Sequence, residues 1–262
     1  MKFGVYANPN KDKDGKLYEL VVQSIESNGA IAEKFADGKR YDFVVTIGGD
    51  GTILHVARQC ALIGAPILGI NKGTVGFLTE IEISETDKAI KNILENDYIL
   101  ERRALIDVGI RDKHYYALND AVVTRTGGSL TAMEVRINNE LVDKFRCDGY
   151  IAATPTGSTA YSLSAGGSVI SPSTPVIALT PINPHTLRTR PVVVGSSENI
   201  TLKCVGKAPA ELYVDGQGVC ALSNGDEVKV TGWFNSALFV RFNSKSFYSR
   251  LLDKLNSWSA EG

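Results

Sequence analysis

Residues 44–54, Val44-Val45-Thr46-Ile47-Gly48-Gly49-Asp50-Gly51-Thr52-Ile53-Leu54, constrain the fold more than any other stretch. An apolar β-branched run enters, a glycine-rich turn follows, and an apolar helical pattern leaves, which reads as strand–turn–helix. Glycine permits positive φ and close approach of another molecule. The helix N-terminus just beyond offers unpaired N–H groups and the positive end of a dipole, which suits a phosphate. Asp50 sits at that point, where its charge would repel a phosphate. It therefore needs a proton to take, a hydroxyl to orient or a metal to share. Two readings of the turn stand side by side, plain turn chemistry and a phosphate site. It is not a Walker A loop, because G-x-x-x-x-G-K-[ST] occurs nowhere in the chain. Nor is it the dinucleotide fingerprint, since Leu54 stands where the third small residue belongs. The G-x-G-x-x-A match at Gly216–Ala221 lies among strand patterns and is chance.

Strand and helix patterns alternate through the first part of the chain. Residues 3–8, 31–35, 42–47 and 66–71 read as strands. Residues 16–28, 53–63 and 86–96 read as helices, with Asn28-Gly29 and Gly64 followed by Pro66 as stops. Short connections between them argue for a parallel sheet up to about residue 97. From 98 to 243 the pattern changes to short β-rich runs divided by turn residues, with Asn138-Asn139 as a tight hairpin. That is the texture of a sandwich or barrel-like domain. The last segment returns to helix, with Ser246 as cap and Phe247, Leu251, Leu252, Leu255 and Trp258 as an apolar stripe that needs a surface to cover. The expected fold is an α/β N-terminal domain with a Rossmann-like, mostly parallel sheet, an all-β second domain, and a C-terminal helix packing back on the first. The boundaries are 1–100 plus 244–262 for the α/β domain and 101–243 for the β-rich one.

The totals narrow the class. With 28 basic and 29 acidic residues the net charge is −1, which argues against a broad nucleic-acid footprint. No apolar run reaches the length of a membrane span, and the chain enters a strand pattern at once, with no signal-peptide pattern. Cys60, Cys147, Cys204 and Cys220 are far apart and form no C-x-x-C pair, so buried reduced thiols in a cytoplasm fit better than zinc or disulfides.

Four further places carry candidate chemistry. His55 lies off the apolar face of its helix, either as a solvated histidine or as a phosphate donor. Asn71-Lys72-Gly73-Thr74-Val75-Gly76-Phe77-Leu78-Thr79 follows the next strand, at the C-terminal sheet edge where ligands of open α/β sheets bind. Phe77 there either stacks on an adenine or plugs core, and Lys72 has a solvated charge as its plain reading. Asn119-Asp120 interrupts the apolar run Ala117–Val123, as turn chemistry or as a clamp for ribose hydroxyls and base edges. Residues 146–167, RCDGYIAATPTGSTAYSLSAGG, form a hydroxyl-dense loop. Interleaved apolar and aromatic residues set it apart from a flexible linker, and its many hydroxyls and amides suit polyphosphate and ribose groups.

Together these residues resemble the NAD kinase family of bacterial type. The resemblance covers nearly the whole chain: GGDGT at 48–52, NKGTVGFL at 71–78, Asn119-Asp120, DGYIAATPTGSTAYSLSAGG at 148–167, PHTLRTRP at 184–191 and Asp215-Gly216-Gln217. GGDGT alone is weak, because lipid kinases and phosphofructokinase-type kinases carry similar turns; the long run from Asp148 to Gly167 is specific. The resemblance implies phosphorylation of the 2′-hydroxyl of the adenosine ribose of NAD, giving NADP, with ATP or polyphosphate as donor and a divalent metal, Mg²⁺, arriving with ATP. It implies Asp50 as the catalytic acid facing that hydroxyl, with Gly48, Gly49, Gly51 and Thr52 around phosphate. Gly51, His55, Phe77, Asn119, Asp120, Arg146 and Asp148 are its implied substrate contacts. Thr159, Ala160, Tyr161, Ser162, Leu163, Ser164 and Gln217 complete them. It also implies a homodimer or homotetramer through the β domain. Two departures stand out: Asp120 where the family usually has Glu, one methylene shorter, and Val75 where Leu is commoner. The rival readings are a lipid kinase of the diacylglycerol type, sharing the GGDGT turn, and a non-catalytic NAD(P)-binding sensor, against which Asp50 itself argues.

Overall fold

The apolar runs on either side of the glycine turn lie in and against one parallel sheet. A computed structural model describes residues 1–72, 76–242 and 246–260. The chain divides into two compact units, Met1–Arg102 with Ala237–Gly262, and Arg103–Ser236.

In the first unit β1 (Lys2–Ala7), β2 (Ile31–Lys34), β3 (Phe43–Ile47), β4 (Ile67–Asn71) and β5 (Ile81–Glu82) pair in the order β2-β1-β3-β4-β5, all parallel. Parallel strands need crossovers, and helices α1 (Lys16–Ser27) between β1 and β2 and α2 (Asp50–Ile63) between β3 and β4 supply two of them, while α3 (Thr86–Leu94) follows β5. The fully buried run Phe43–Ile47 is what a strand covered on both faces requires. Ile53, Val56, Ala57, Cys60 and Ala61 form the buried face of α2, which ends where Gly64 takes the left-handed conformation and returns its N–H to the Cys60 carbonyl. Phe3, Val5, Val45, Ile47, Leu68 and Ile70 pack with Val21, Ile25, Ile90 and Ile93 of α1 and α3. The C-terminal helix, Phe247–Ala260, belongs to this unit. Ser246 caps it, accepting the Ser249 N–H at 3.2 Å. The Phe247 ring lies 6.3 Å from Phe77, whereas Leu252 is exposed; the Leu255 and Trp258 side chains lie outside the described residues.

The second unit is antiparallel. Its strands are β6 (Ile99–Ile110), β7 (Lys113–Ala117), β8 (Asp120–Arg125), β9 (Thr131–Ile137), β10 (Glu140–Cys147), β11 (Gly149–Ala153), β12 (Val176–Ile182), β13 (Val192–Gly195), β14 (Ile200–Cys204), β15 (Ala210–Val214), β16 (Gln217–Leu222) and β17 (Glu227–Arg241). One sheet runs β13-β12-β11-β8-β15-β16. Facing it are β10-β9-β14-β17, with β6 and β7 continuing beyond β17. β6 begins, and β17 ends, in the first unit, where Phe239 pairs with Ile67. Val123, Val135, Leu179, Leu202 and Leu212 fill the space between the sheets, each alternating with an outward neighbour. Asn138 and Asn139 both adopt positive φ, 49° and 69°, which makes the tight β9–β10 hairpin. The central strands β8 and β11 are buried on both faces. Ile170 and Ala165 from the segment after β11 cover Val122, Ile151 and Ala153. A loop lying on a sheet in this way is structure, as the interleaved apolar residues require. Cys60, Cys147 and Cys204 are buried and Cys220 is half-buried, all as free thiols.

Candidate active site

Asp50 is the first residue of α2, and Gly49 before it supplies no side-chain cap. A carboxylate in the first helical turn is favoured by the helix dipole. Its oxygens are fixed by consecutive backbone groups: Oδ2 accepts the Phe77 N–H at 2.8 Å, and Oδ1 accepts the Leu78 and Thr79 N–H groups at 3.1 and 3.2 Å. The turn closes on itself through the Gly76 N–H, which donates to Thr79 Oγ1 at 2.7 Å. Gly73, Thr74 and Val75, just before this turn, lie outside the described residues.

The turn is held in turn by a buried ionic network. Arg241 at the end of β17 donates from Nη1 to the Leu78 carbonyl at 2.9 Å and to Glu80 at 3.0 Å, and from Nε to Glu101 at 2.7 Å. Arg250 of the C-terminal helix reaches Glu80 at 2.9 Å, and the Phe242 N–H takes the other Glu80 oxygen at 3.1 Å. The Glu80 side chain is 0% exposed, and these donors offset the cost of burying a carboxylate. Neither Glu80 nor its two arginines was singled out from the sequence. Glu80 stands in the sequence beside Glu82, Glu85 and Asp87, with nothing to mark it from them.

Asp50 opens on a cavity of about 540 Å³ bordered also by Gly48, Gly49, Asn71, Gly76 and lysine side chains. A carboxylate offers about four acceptor positions. Two N–H groups occupy Oδ1 and one occupies Oδ2, so a single position remains among the described residues, on Oδ2. One donor hydroxyl fits there. A protein-held metal fits poorly: among the described residues no three His, Cys, Asp or Glu side chains converge.

Around this turn the other candidates separate. Gly51 and His55 are exposed on α2, with the His55 ring 6.2 Å from Tyr6. Thr52 differs from the phosphate-ligand expectation. It is 2% exposed, its hydroxyl accepts from Asn8 at 3.2 Å, and its N–H goes to the Gly49 carbonyl at 2.8 Å. Gly48 is needed above it, since a Cβ there would stand 2.9 Å from the Thr52 Cβ. Phe77 is half-buried against Phe247, and Lys72 donates from Nζ to the Lys11 carbonyl at 3.1 Å rather than being merely solvated.

In the second unit Asn119 and Asp120 stand at the break between β7 and β8. Asp215, in a tight turn with φ of 47°, accepts the N–H groups of Leu118, Asn119 and Asp120 at 2.8, 2.7 and 3.2 Å. This repeats the Asp50 arrangement, and the role of Asp215 was not read from the sequence; the Asp-Gly turn was its only mark. Burial and then the Asp215 charge push the Asp120 carboxyl up to about 7, and burial also raises Asp215. Residues 154–160 lie directly against Asn119. Its carbonyl accepts the Thr154 N–H at 2.8 Å, and a Cβ on Gly157 would fall 2.5 Å from its carbonyl carbon.

The hydroxyl-rich loop becomes a 3₁₀ turn, Gly157–Thr159, and helix α4 (Tyr161–Ser164). Several hydroxyls expected to face a ligand are internal. Ser162 is 0% exposed and pairs with Thr180 at 2.9 Å. Ser158 bonds the Pro155 carbonyl and the Ile170 N–H, and Thr154 bonds the Leu118 carbonyl at 2.5 Å. Ser162 thus differs from the substrate-contact expectation, because it faces the sheet that the loop covers. Tyr161 and Ser164 are exposed, and Thr159, Ala160 and Leu163 half-buried. Arg146 is exposed, while Asp148 pairs with Arg125 instead and accepts Asn183 Nδ2 at 2.9 Å. Asn183 and then Arg125 hold its carboxyl below the usual range. Gln217, exposed, opens β16. In the PHTLRTRP stretch, the His185 N–H donates to the Arg146 carbonyl at 2.7 Å, and Thr189 and Arg188 bond Asp143 at 2.7 and 3.3 Å.

The comparisons agree on one family. The family model described as the ATP-NAD kinase N-terminal domain matches residues 8–98, and that for the C-terminal domain matches residues 118–242. An NAD kinase of Caldicellulosiruptor bescii is 34% identical over 97% of this chain and 99% of its own length. One from Moorella thermoacetica is 44% identical over 81% of this chain and 70% of its own. Among solved structures, an NAD kinase from Archaeoglobus fulgidus in complex with ATP superposes with a TM-score of 0.81 at 28% identity, covering 98% of this chain and 99% of that one. Yeast NADH kinase complexed with NADH gives 0.84 at 26% identity, covering 98% and 87%. With both halves matched, the chain belongs to the ATP-NAD kinase family, whose members phosphorylate NAD to give NADP.

Proposed function

We propose that the acceptor is the 2′-hydroxyl of the adenosine ribose of NAD and that Asp50 receives its hydrogen bond. The reading rests on one observation: the Asp50 carboxylate, clamped by the N–H groups of Phe77, Leu78 and Thr79, keeps one acceptor position at a cavity wall. A hydroxyl donating to Oδ2 has its oxygen lone pair oriented toward a phosphoryl group. Its oxygen bonds to phosphorus, the bond to the departing ADP breaks, and the hydroxyl proton is lost beside Asp50. Phosphoryl transfer is mostly positioning plus charge stabilisation, so a rigid acid of this kind is what the step asks of the protein.

An ATP-using kinase works with a divalent metal. We take it to be Mg²⁺ carried by the triphosphate, which would neutralise charge on the transferring group. Inorganic polyphosphate is a second donor by the same chemistry. Gly48, Gly49, Gly51 and His55 are proposed on the phosphate and ribose side. Phe77, Asn119, Asp120, Arg146, Asp148, Thr159, Ala160, Tyr161, Leu163, Ser164 and Gln217 are proposed as further NAD contacts. A homodimer or homotetramer through the β-rich unit belongs to the same reading; Leu187, Val193 and Phe234 are exposed on that unit. A cytoplasmic setting fits the free thiols.

The test is NADP formation from NAD, ATP and Mg²⁺ in a coupled dehydrogenase assay, repeated with polyphosphate and with NADH. NADP should accumulate, and the Asp50→Ala protein should bind NAD yet turn over orders of magnitude more slowly. Wild-type protein that forms no NADP, or an Asp50→Ala variant with near-normal turnover, would sink the reading.

A further inference from the structure

Between β7 and β8 the chain runs Leu118-Asn119-Asp120, and each backbone N–H and carbonyl of these residues is bonded to Asp215 or to Thr154. The Asp215 carboxylate accepts the three N–H groups at 2.8, 2.7 and 3.2 Å, and its own N–H donates to the Asp120 carbonyl at 2.9 Å. Thr154 takes the other two carbonyls, donating from Oγ1 to Leu118 and from N–H to Asn119 at 2.8 Å. Leu118 is 0% and Asp120 5% exposed, so Asn119 alone of the three reaches the surface.

The hairpin that carries Asp215 does not by itself call for a carboxylate. Asp215 and Gly216, at φ 47° and 75°, form the two-residue loop between β15 and β16, with Val214 paired to Gln217. Two successive positive φ values make a type I′ turn, which Asn-Gly closes as well as Asp-Gly. The charge also carries a cost, because it opposes ionisation of the buried Asp120 carboxyl beside it. What the carboxylate adds is acceptor capacity on both oxygens, enough for three donors at once. We propose that Asp215 is a positioning residue for NAD, fixing the backbone of Leu118–Asp120 so that the Asn119 amide is aimed at the substrate. This rests on the reading of Asn119 as an NAD contact.

The experiment is steady-state kinetics on Asp215→Ala, Asp215→Asn, Asn119→Ala and the Asp215→Asn/Asn119→Ala double variant. NAD and ATP are varied separately at pH 8, after circular dichroism has verified folding. An aimed hydrogen bond lost from a binding contact should raise KM for NAD about tenfold in Asp215→Ala, with kcat within about threefold. Asp215→Asn keeps the turn and part of the acceptor set, so its rise should be smaller, about threefold. KM for ATP should stay within about twofold, and Asp215→Asn should add almost nothing once Asn119 is alanine. If Asp215→Ala does not fold, the Asp215→Asn comparison decides. An unchanged KM for NAD in folded Asp215→Asn, an equal rise in KM for ATP, or full additivity with Asn119→Ala overturns the proposal. Asn119→Ala with wild-type KM for NAD instead sinks the reading of Asn119, and the proposal with it. If the wild-type protein makes no NADP, the acceptor reading fails, and calorimetric NAD binding to the same four variants decides the role of Asp215.

Discussion

Gly76 is packed against Asp50 so closely that a Cβ on it would lie 2.5 Å from Oδ2 and closer still to Oδ1. The acid and the turn that clamps it therefore constrain each other. Gly76→Ala must push either the carboxylate or the turn aside. Turnover should fall by at least about a hundredfold, the order expected when a reacting group is misplaced by an ångström. Thermal unfolding should show that the fold survives. A variant with wild-type turnover would mean that the clamp has no bearing on activity.

Asp50→Asn separates charge from shape. An amide oxygen accepts like one carboxylate oxygen, but its NH₂ faces backbone donors where the second stood. We expect a loss of about 1–3 kcal/mol of stability from N–H groups left unpaired, together with a large drop in kcat, measured by urea unfolding and by the coupled assay.

Glu80 and Arg241 act further back. With the Glu80 side chain fully buried and Arg241 5% exposed, removing Arg241 takes away one of the two arginines that Glu80 accepts from and leaves Arg250 at 2.9 Å. Arg241→Met should cost about 1.5–3 kcal/mol, the worth of a hydrogen bond to a charged group, read as a shift in the denaturation midpoint. It should also lower kcat, because Arg241 holds the Leu78 carbonyl of the clamp. Stability within about 0.5 kcal/mol of wild type would contradict this.

The pair Asp120 and Asp215 gives a pH dependence of definite sign. The Asp120 carboxyl is raised from 3.8 to about 7 in the folded protein, so between those values the folded state binds more protons than the unfolded one. Its contribution is favourable at low pH and is lost as pH rises through that window, completely so above about pH 7. Asp120→Asn removes this titration. The difference in Tm between mutant and wild type should therefore grow in the mutant's favour from pH 5 to pH 8. A difference that is flat with pH would refute the assignment.

Ser162 tests where the hydroxyl-rich loop keeps its ligand contacts. Ser162→Ala deletes a buried bond to Thr180, so we expect about 1 kcal/mol of destabilisation with KM for NAD unchanged. A selective rise in KM for NAD would return Ser162 to the substrate.

Strand–helix alternation, the helix stops around Asn28 and Gly64, the Asn138-Asn139 hairpin and the Ser246 cap are all local, and each is legible from residues that touch one another along the chain. So is Asp50 at a helix start, because turn and cap chemistry act within a few residues. What the sequence left undecided is where each polar group points. Thr52 and Ser162 are hydroxyls of the right kind in the right motif, yet packing turns them inward, toward Asn8 and Thr180. The single remaining acceptor on Asp50 exists only because residues 77–79 fold over it. Arg241, Arg250 and Glu80 hold them there from up to 171 positions away. Likewise Asp215 grips Leu118–Asp120 across about 96 residues. Side-chain period and turn propensity are properties of neighbours in sequence. The acceptor geometry of a carboxylate is a sum over groups that only the tertiary fold brings within a few ångströms.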